Sequence, residues 1–272
     1  MVYLDYIYFI LILLSMEQKI NLLEMSFLIP VRIDSVVRLE NLLKSIECIL
    51  RNIETNIYVL EAAPYNNGLL ERLLPKDINY FFVEDRDPIF YRTHYINSLI
   101  RKTATKYIGI WDSDIILDFP QIVKAYEALQ SNYKIAFPYD GRFFETTSII
   151  RELYIAQSDI RILQKSVPRM LLPYGHLANG GAVFINRNVY IKAGMENENF
   201  YGWAPEDVER KERLEVLGYE VYRSQGPLFH LSHPRDINGK YRSDEQKRYG
   251  LYLLEQTRYS SKDEIINSIK VQ

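Results

Sequence analysis

The stretch that decides the fold is Tyr107-Ile108-Gly109-Ile110-Trp111-Asp112-Ser113-Asp114. Its first five residues carry no charge and show no polar alternation, the pattern of a strand buried on both faces, and the chain then turns abruptly acidic. Working outward, runs of strand length recur at 27–29, 57–60 and 80–83 on one side and at 135–138, 182–185, 219–223 and 228–231 on the other. Between them lie segments of helical period. The first opens at Asp34 or Ser35, either of them a suitable N-cap, and places Val36, Leu39, Leu42, Leu43, Ile46 and Ile49 on one face. Further helices are expected at 69–74, 93–102, 120–130, 205–217 and 243–256, and one at 149–164, where the regular alternation lapses. Strands alternating with helices predict an α/β fold with a mostly parallel central sheet flanked by helices. In such sheets ligands sit outside the carboxyl ends of the strands, which is where Asp112, Ser113 and Asp114 stand.

Bulk properties narrow the chemistry. The 272 residues are 47% apolar, enough for a large core. Lys and Arg number 33 against 35 Asp and Glu, a net charge of −2, so the chain has no broad cationic surface for nucleic acid. Any phosphate must be held locally. A single cysteine, Cys48, excludes an internal disulfide and suits a reducing compartment. The 22 Tyr and 12 Phe suit strands, and also the flat faces on which sugars and bases stack.

Three constellations carry chemistry. Asp112 and Asp114, separated by one residue, can hold a hard divalent cation that also takes diphosphate oxygens. A lone pair of this kind is equally a solvated turn, and it is the buried strand before it that favours ligation. Gly202-Trp203-Ala204-Pro205-Glu206-Asp207 sets two carboxylates beside an aromatic plate. Pro and acids at a helix start are also ordinary capping, but Trp203 on a glycine-containing loop adds the surface against which a carboxylate base meets a sugar hydroxyl. His230 and His233 are two of only four histidines and lie near a strand end, where they can converge on the same cation. Lesser candidates for base, ribose or phosphate are Arg32 after the first strand, Glu61 after the second and Arg92 before a helix. Asn179-Gly180-Gly181 permits close backbone approach to a ligand.

The N-terminal run at 2–14 is almost wholly apolar but carries Asp5. It is shorter than the ~20 residues of a membrane span and lacks a basic leader and a small-residue cleavage site. It is expected to be an extension, 1–24, that lies in a membrane interface or precedes a later start at Met16 or Met25.

Taken in order from about Phe27 to Asp236, these motifs, rather than continuous sequence, resemble the β-1,4-galactosyltransferase family and the bacterial family-2-like transferases with a galactosyltransferase-type C-terminal region. The resemblance implies a GT-A fold, Rossmann-like, spanning 25–272, with a nucleotide-sugar half at 25–139, an acceptor half at 140–242 and a C-terminal helix beyond. Ile29-Pro30-Val31-Arg32 resembles the family's uridine-binding loop. Ile89-Phe90-Tyr91-Arg92 with Asn97 is similar to its Phe-Asn-Arg segment, with Tyr91 in place of Asn. Asp112-Ser113-Asp114 is similar to its Asp-Val-Asp, in which the second acid ligates manganese. Asn179-Gly180-Gly181 is similar to its donor-sugar segment. Tyr201-Gly202-Trp203-Ala204-Pro205-Glu206-Asp207 resembles its Gly-Trp-Gly-Gly-Glu-Asp, whose last Asp is the catalytic base, with Ala204-Pro205 stiffening a loop that is mobile in the family. His233-Pro234-Arg235-Asp236 resembles its metal-binding His and following Ser-Arg-Asp, and His230 stands where the animal enzymes have a Met ligand.

The resemblance therefore implies Asp114, His230 and His233 around Mn²⁺ or another divalent ion. It implies Asp207, backed by Glu206, as base in an inverting displacement, with a retaining GT-A transferase as the alternative, a UDP-sugar donor, and a saccharide or glycolipid acceptor in surface-polysaccharide or glycan synthesis. The expected location is the cytoplasm, with peripheral contact at the inner membrane face. Ile29 to Asp34 contains no glycine, which argues against the Gly-rich phosphate loop of a sugar nucleotidyltransferase. A chain beginning at Met25 is expected to keep UDP binding.

Overall fold

The computed structural model describes residues 19–176, 178–235 and 237–271, so the apolar run at 2–14 and Asp236 lie outside it. The strands are β1 (Ile20–Val31), β2 (Ile53–Ala63), β3 (Asn79–Glu84), β4 (Tyr107–Trp111), β5 (Ile115–Ile116), β6 (Ile135–Phe137), β7 (Phe143–Glu145), β8 (Ala182–Asn186), β9 (Val221–Arg223) and β10 (Leu228–His230). The helices are α1 (Val36–Asn52), α2 (Leu69–Leu73), α3 (Arg92–Lys102), α4 (Phe119–Gln130), α5 (Ser148–Gln157), α6 (Ile160–Ser166), α7 (Arg187–Lys192), α8 (Glu206–Val216), α9 (Asp244–Tyr259) and α10 (Lys262–Val271).

Seven strands form the central sheet in the order β3-β2-β1-β4-β8-β6-β9, and β5, β10 and β7 form a small second sheet. The large sheet is parallel except at β8, which runs antiparallel to both β4 and β6. That reversal matters for the site. The start of β8, not its end, reaches the same edge as the end of β4: Trp111 pairs with Ala182, and the Asp112 amide donates to the Gly181 carbonyl at 2.8 Å.

The local reasons are legible. Ser35 caps α1 by accepting from the Arg38 amide at 3.3 Å, and Leu42, Ile46 and Ile49 bury one face of that helix. Trp111, fully buried, donates its indole N–H to Ser45 at 2.8 Å, while the Ser45 hydroxyl donates to the Ile115 carbonyl at 2.9 Å. One indole thus fastens α1 to the end of β4 and to β5. Among the described residues the main apolar cluster runs from Leu22 to Ile265, and a smaller one gathers Ile116, Phe144, Tyr154, Leu163 and Phe229.

Three expectations differ from what is seen. β1 starts at Ile20 rather than at residue 27, so the expected 24/25 boundary falls inside a strand whose Ile20 and Asn21 pair with Ile53 and Glu54. The helix expected at 149–164 is two helices. Ser158 adopts a left-handed conformation (φ 51°), with its carbonyl held by Arg51, and Asp159 caps the next helix by accepting from the Arg161 amide. The C-terminal helix expected over 243–272 is also two, α9 and α10, and the short β5, β7 and α7 are too brief to show a period in the sequence.

The strand assignment at 20–24 predicts opposite outcomes for neighbours. Leu22 is fully buried and Leu23 is 44% exposed. In urea denaturation Leu22→Ala should cost about 2–5 kcal/mol, whereas Leu23→Ala should stay within about 0.5 kcal/mol.

Candidate active site

A cleft of about 420 Å³ opens at the carboxyl edge of the large sheet. Pro30, Val31 and Arg32 reach it from the end of β1, Asp112, Ser113 and Asp114 from the end of β4, and Asn179, Gly180 and Gly181 from the approach to β8. Arg92 enters from α3, Trp203, Glu206 and Asp207 from the head of α8, and His230 and His233 from the end of β10. Among the residues singled out from the sequence, Glu61 is the exception. β2 continues past it to Ala63, and its buried carboxylate accepts from the Tyr80 hydroxyl at 2.6 Å, away from the cleft. Asn97 is likewise structural: it is buried and holds the Glu196 backbone at 2.9 and 3.0 Å.

Asp114, His230 and His233 converge, each offering one ligand atom, with all of these atoms within 4.8 Å of one another. Backbone pairing enforces this. His230 is the antiparallel partner of Ile115, the residue after Asp114, and the Leu231 amide donates to the Asp114 carbonyl at 2.8 Å. His233 Nδ1 lies 2.8 Å from the Pro234 carbonyl, which can only accept, so that nitrogen carries hydrogen. Its Nε2 is the ring nitrogen turned to the site, 3.0 Å from Asp114 Oδ2, and the His230 Nε2 lies 3.5 Å from Oδ1. Electron pairs set so close require a cation among them, either protons or a metal ion. Burial opposes ionisation of Asp114, yet the attraction and hydrogen bonds of the two imidazoles hold its carboxyl well below the usual range. A carboxylate oxygen and two nitrogens form a donor set that accommodates manganese better than calcium.

The opposite wall is a charge network. Arg92 bonds Asp112 at 2.7 Å and approaches Asp207 at 3.3 Å and Glu206 at 3.5 Å. Arg210, one turn along α8, bonds Asp207 at 2.8 Å and the buried Glu196 at 2.7 Å. Three carboxylates share this space, and their protonation separates. Burial works against the charge of Asp207, but Arg92 and Arg210 outweigh it and lower its pKa. Burial, reinforced by Asp207, pushes Glu206 up to about 8, and its Oε2 is buried with no hydrogen-bond partner. Asp112 is raised by burial and by its acidic neighbours against the pull of Arg92. Near neutral pH the pair at the head of α8 is therefore one carboxylate and one carboxylic acid.

Close approach fixes the carboxylate in place. A Cβ on Gly180 would stand 2.6 Å from Asp207 Oδ2, so no other residue fits there without displacing the acid. The Gly180 carbonyl accepts from the Tyr139 hydroxyl at 2.7 Å, and Arg223 donates to Asn179 at 2.5 Å. Trp203 is 37% exposed and meets Tyr241 edge-on with centroids 4.6 Å apart, which makes an aromatic corner at the cleft mouth. Gln246 on α9 donates to the Tyr201 carbonyl at 2.6 Å and ties this loop down. Arg32 lines the cleft, but its guanidinium is committed to Asp85 at 2.5 Å and to the Ala62 and Asp87 carbonyls.

Arg38, Arg210, Tyr139 and Tyr241 were not anticipated. Arg210 carried a readable signal, since it stands three residues after Asp207 on the same helix. Tyr139 and Tyr241 had none, because their roles depend on tertiary contacts alone.

No family model matches the chain, and no curated protein sequence does. Solved structures do. The catalytic domain of Drosophila β1,4-galactosyltransferase 7 in complex with xylobiose superposes with a TM-score of 0.52 at 18% identity, covering 88% of this chain and 82% of that one. A mutant of that enzyme, in complex with manganese, UDP-Gal and xylobiose, gives 0.53 at 16% identity with the same coverage. The chain has the GT-A fold of these structures, as the order of its motifs implied.

The raised pKa of Glu206 has a thermodynamic sign. The folded state holds this proton up to about 8, while the unfolded chain releases it near 4.5. The stability contributed by the neutral form is thus full below the unfolded value and is lost as pH rises toward the folded one. Glu206→Gln keeps the shape without the proton and should flatten that part of the stability profile between pH 5 and pH 8 (approximate limits), read by thermal midpoints. A slope identical to that of the unsubstituted protein would place the proton elsewhere.

Proposed function

We propose that this chain is a metal-dependent glycosyltransferase that moves a hexose or N-acetylhexosamine from a UDP-sugar to a saccharide or glycolipid hydroxyl with inversion at the sugar carbon. The observation that carries the reading is a single cleft with a mixed carboxylate–imidazole cation site on one wall and an ionised, arginine-flanked carboxylate on the other. A sugar-binding module would need neither. The fold shared with structures that hold manganese and UDP-Gal supports the same reading and makes UDP-galactose the first donor to try.

Asp114, His230 and His233 would hold the divalent ion, which when bound supplies positive charge against the diphosphate. Pro30 and Val31, at the end of β1, flank the nucleoside. The Asn179–Gly181 backbone lets the donor sugar approach closely, and Trp203 with Tyr241 offers a flat face to the acceptor ring. Asp207 accepts the proton of the acceptor hydroxyl as the new bond forms, and Arg92 and Arg210 hold its carboxylate ionised and aimed. Glu206 keeps its proton and donates a hydrogen bond to a sugar oxygen, which satisfies the buried Oε2. The product belongs to a surface polysaccharide or glycan made at the cytoplasmic face of a membrane.

Removing each group should leave a different kinetic trace. Asp207→Asn should lower kcat about 10²- to 10⁴-fold with the UDP dissociation constant nearly unchanged. Asp114→Asn and His233→Ala should weaken UDP binding in manganese as well as turnover, and a chelator should abolish activity. Near-normal kcat in Asp207→Asn would transfer the base role to Glu206, and full activity in chelator would contradict the reading altogether.

A further inference from the structure

Four arginines line the cleft, and each has at least one carboxylate partner. Arg92 faces three carboxylates, Arg32 is bound to Asp85, and Arg235 pairs with Glu145 at 3.1 Å. Arg38 differs. It projects from the first turn of α1 with its side chain largely buried, and its Nε is held by the half-exposed Asp34 at 3.0 Å. Among the described residues no other carboxylate comes within hydrogen-bonding distance of this guanidinium. Its Nη1 stands 3.5 Å from His233 Nε2 and 4.0 Å from Asp114 Oδ2, beside the trio of candidate metal ligands. One donor thus anchors the side chain, while a terminal nitrogen faces the point where an anion bound at the trio would lie.

We infer that Arg38 is a second cation for the donor, contacting the terminal phosphate of the UDP diphosphate at the rim of the Asp114–His230–His233 site. This rests on the proposed function and adds a substrate contact to it. Once the charge of Asp114 is committed to an ion, the guanidinium has no anion of its own beyond Asp34, and a phosphate oxygen satisfies both its charge and its hydrogen-bonding geometry. The fixed anchor through Asp34 means that little side-chain freedom is lost when the phosphate arrives. As the glycosidic bond breaks, the electron pair passes to the leaving diphosphate oxygen, and Arg38 stabilises the charge that builds there.

The test uses the whole protein, with titration calorimetry of uridine and of UDP in chelator and again in manganese, for the unsubstituted chain, Arg38→Ala and Arg38→Lys. In chelator the unsubstituted protein should bind UDP more tightly than uridine. Arg38→Ala should lose about tenfold to a hundredfold in UDP affinity with uridine affinity unchanged, and Arg38→Lys should keep part of the preference. With manganese and donor, kcat of the Ala variant should fall by about 10²-fold. Where Ala unsettles α1, seen as a lowered thermal midpoint with loss of uridine binding, Arg38→Gln repeats the comparison at near-native side-chain length. UDP affinity indifferent to Arg38, or uridine weakened as much as UDP, would overturn the role. Absence of UDP binding by the unsubstituted protein even in manganese would instead overturn the glycosyltransferase reading, and Arg38's role with it.

Discussion

The antiparallel pairing of β10 with β5 is the constraint on which the site depends. It joins positions separated by more than a hundred residues and lays His230 opposite Ile115, so Asp114 and the imidazoles meet through backbone geometry rather than through the reach of flexible side chains. β10 also pairs in parallel with β7, and the Phe143 ring packs on His230 with centroids 5.2 Å apart. A ligand set held on or beside paired strand ends keeps its distances when solvent or substrate changes, as a tight cation site requires. Trp111 extends the same fixture inward by fastening β4 and β5 to α1, the helix that carries Arg38.

Against this stands a second organising group, Arg92, at the head of α3. It touches one acid from the end of β4 and two from the head of α8, and so couples the strand edge of the cleft to the helix that faces it. Three carboxylates around one buried guanidinium cannot all ionise cheaply. Arg210 tips the balance toward Asp207, and Glu206, with one oxygen unpartnered, retains the proton. A charged acceptor of protons and a neutral donor of hydrogen bonds then sit on adjacent residues, their roles divided by environment rather than by chemical type.

Much of this was legible in the sequence, and the failures have physical causes. Asp112 to Asp114 could be placed because a buried parallel strand reads as an unbroken apolar run and its end is abrupt. Glu61 was misplaced because β2 does not end where its apolar run ends. The last two residues are small alanines that continue the ladder, and the glutamate turns to Tyr80. The reversal of β8 could not be read, since an apolar strand has no direction in its composition, and it is this reversal that brings Asn179–Gly181, ahead of their strand, to the lining of the cleft. Ser158-Asp159 was a helix stop and start that periodicity alone overran. Arg38 carries no signal in the sequence, because an arginine in a first helical turn is usually solvated, and only the fold sets it beside a histidine far along the chain.

The central claim is that cation and base occupy opposite walls of one cleft, and the most direct measurement is an anomalous-difference map from crystals grown with manganese and UDP. One strong peak is expected within bonding distance of Asp114, His230 and His233, with the diphosphate against it and Asp207 free of metal. A peak among Asp112, Glu206 and Asp207 instead would contradict it, because the carboxylate assigned to the acceptor proton would then be a metal ligand.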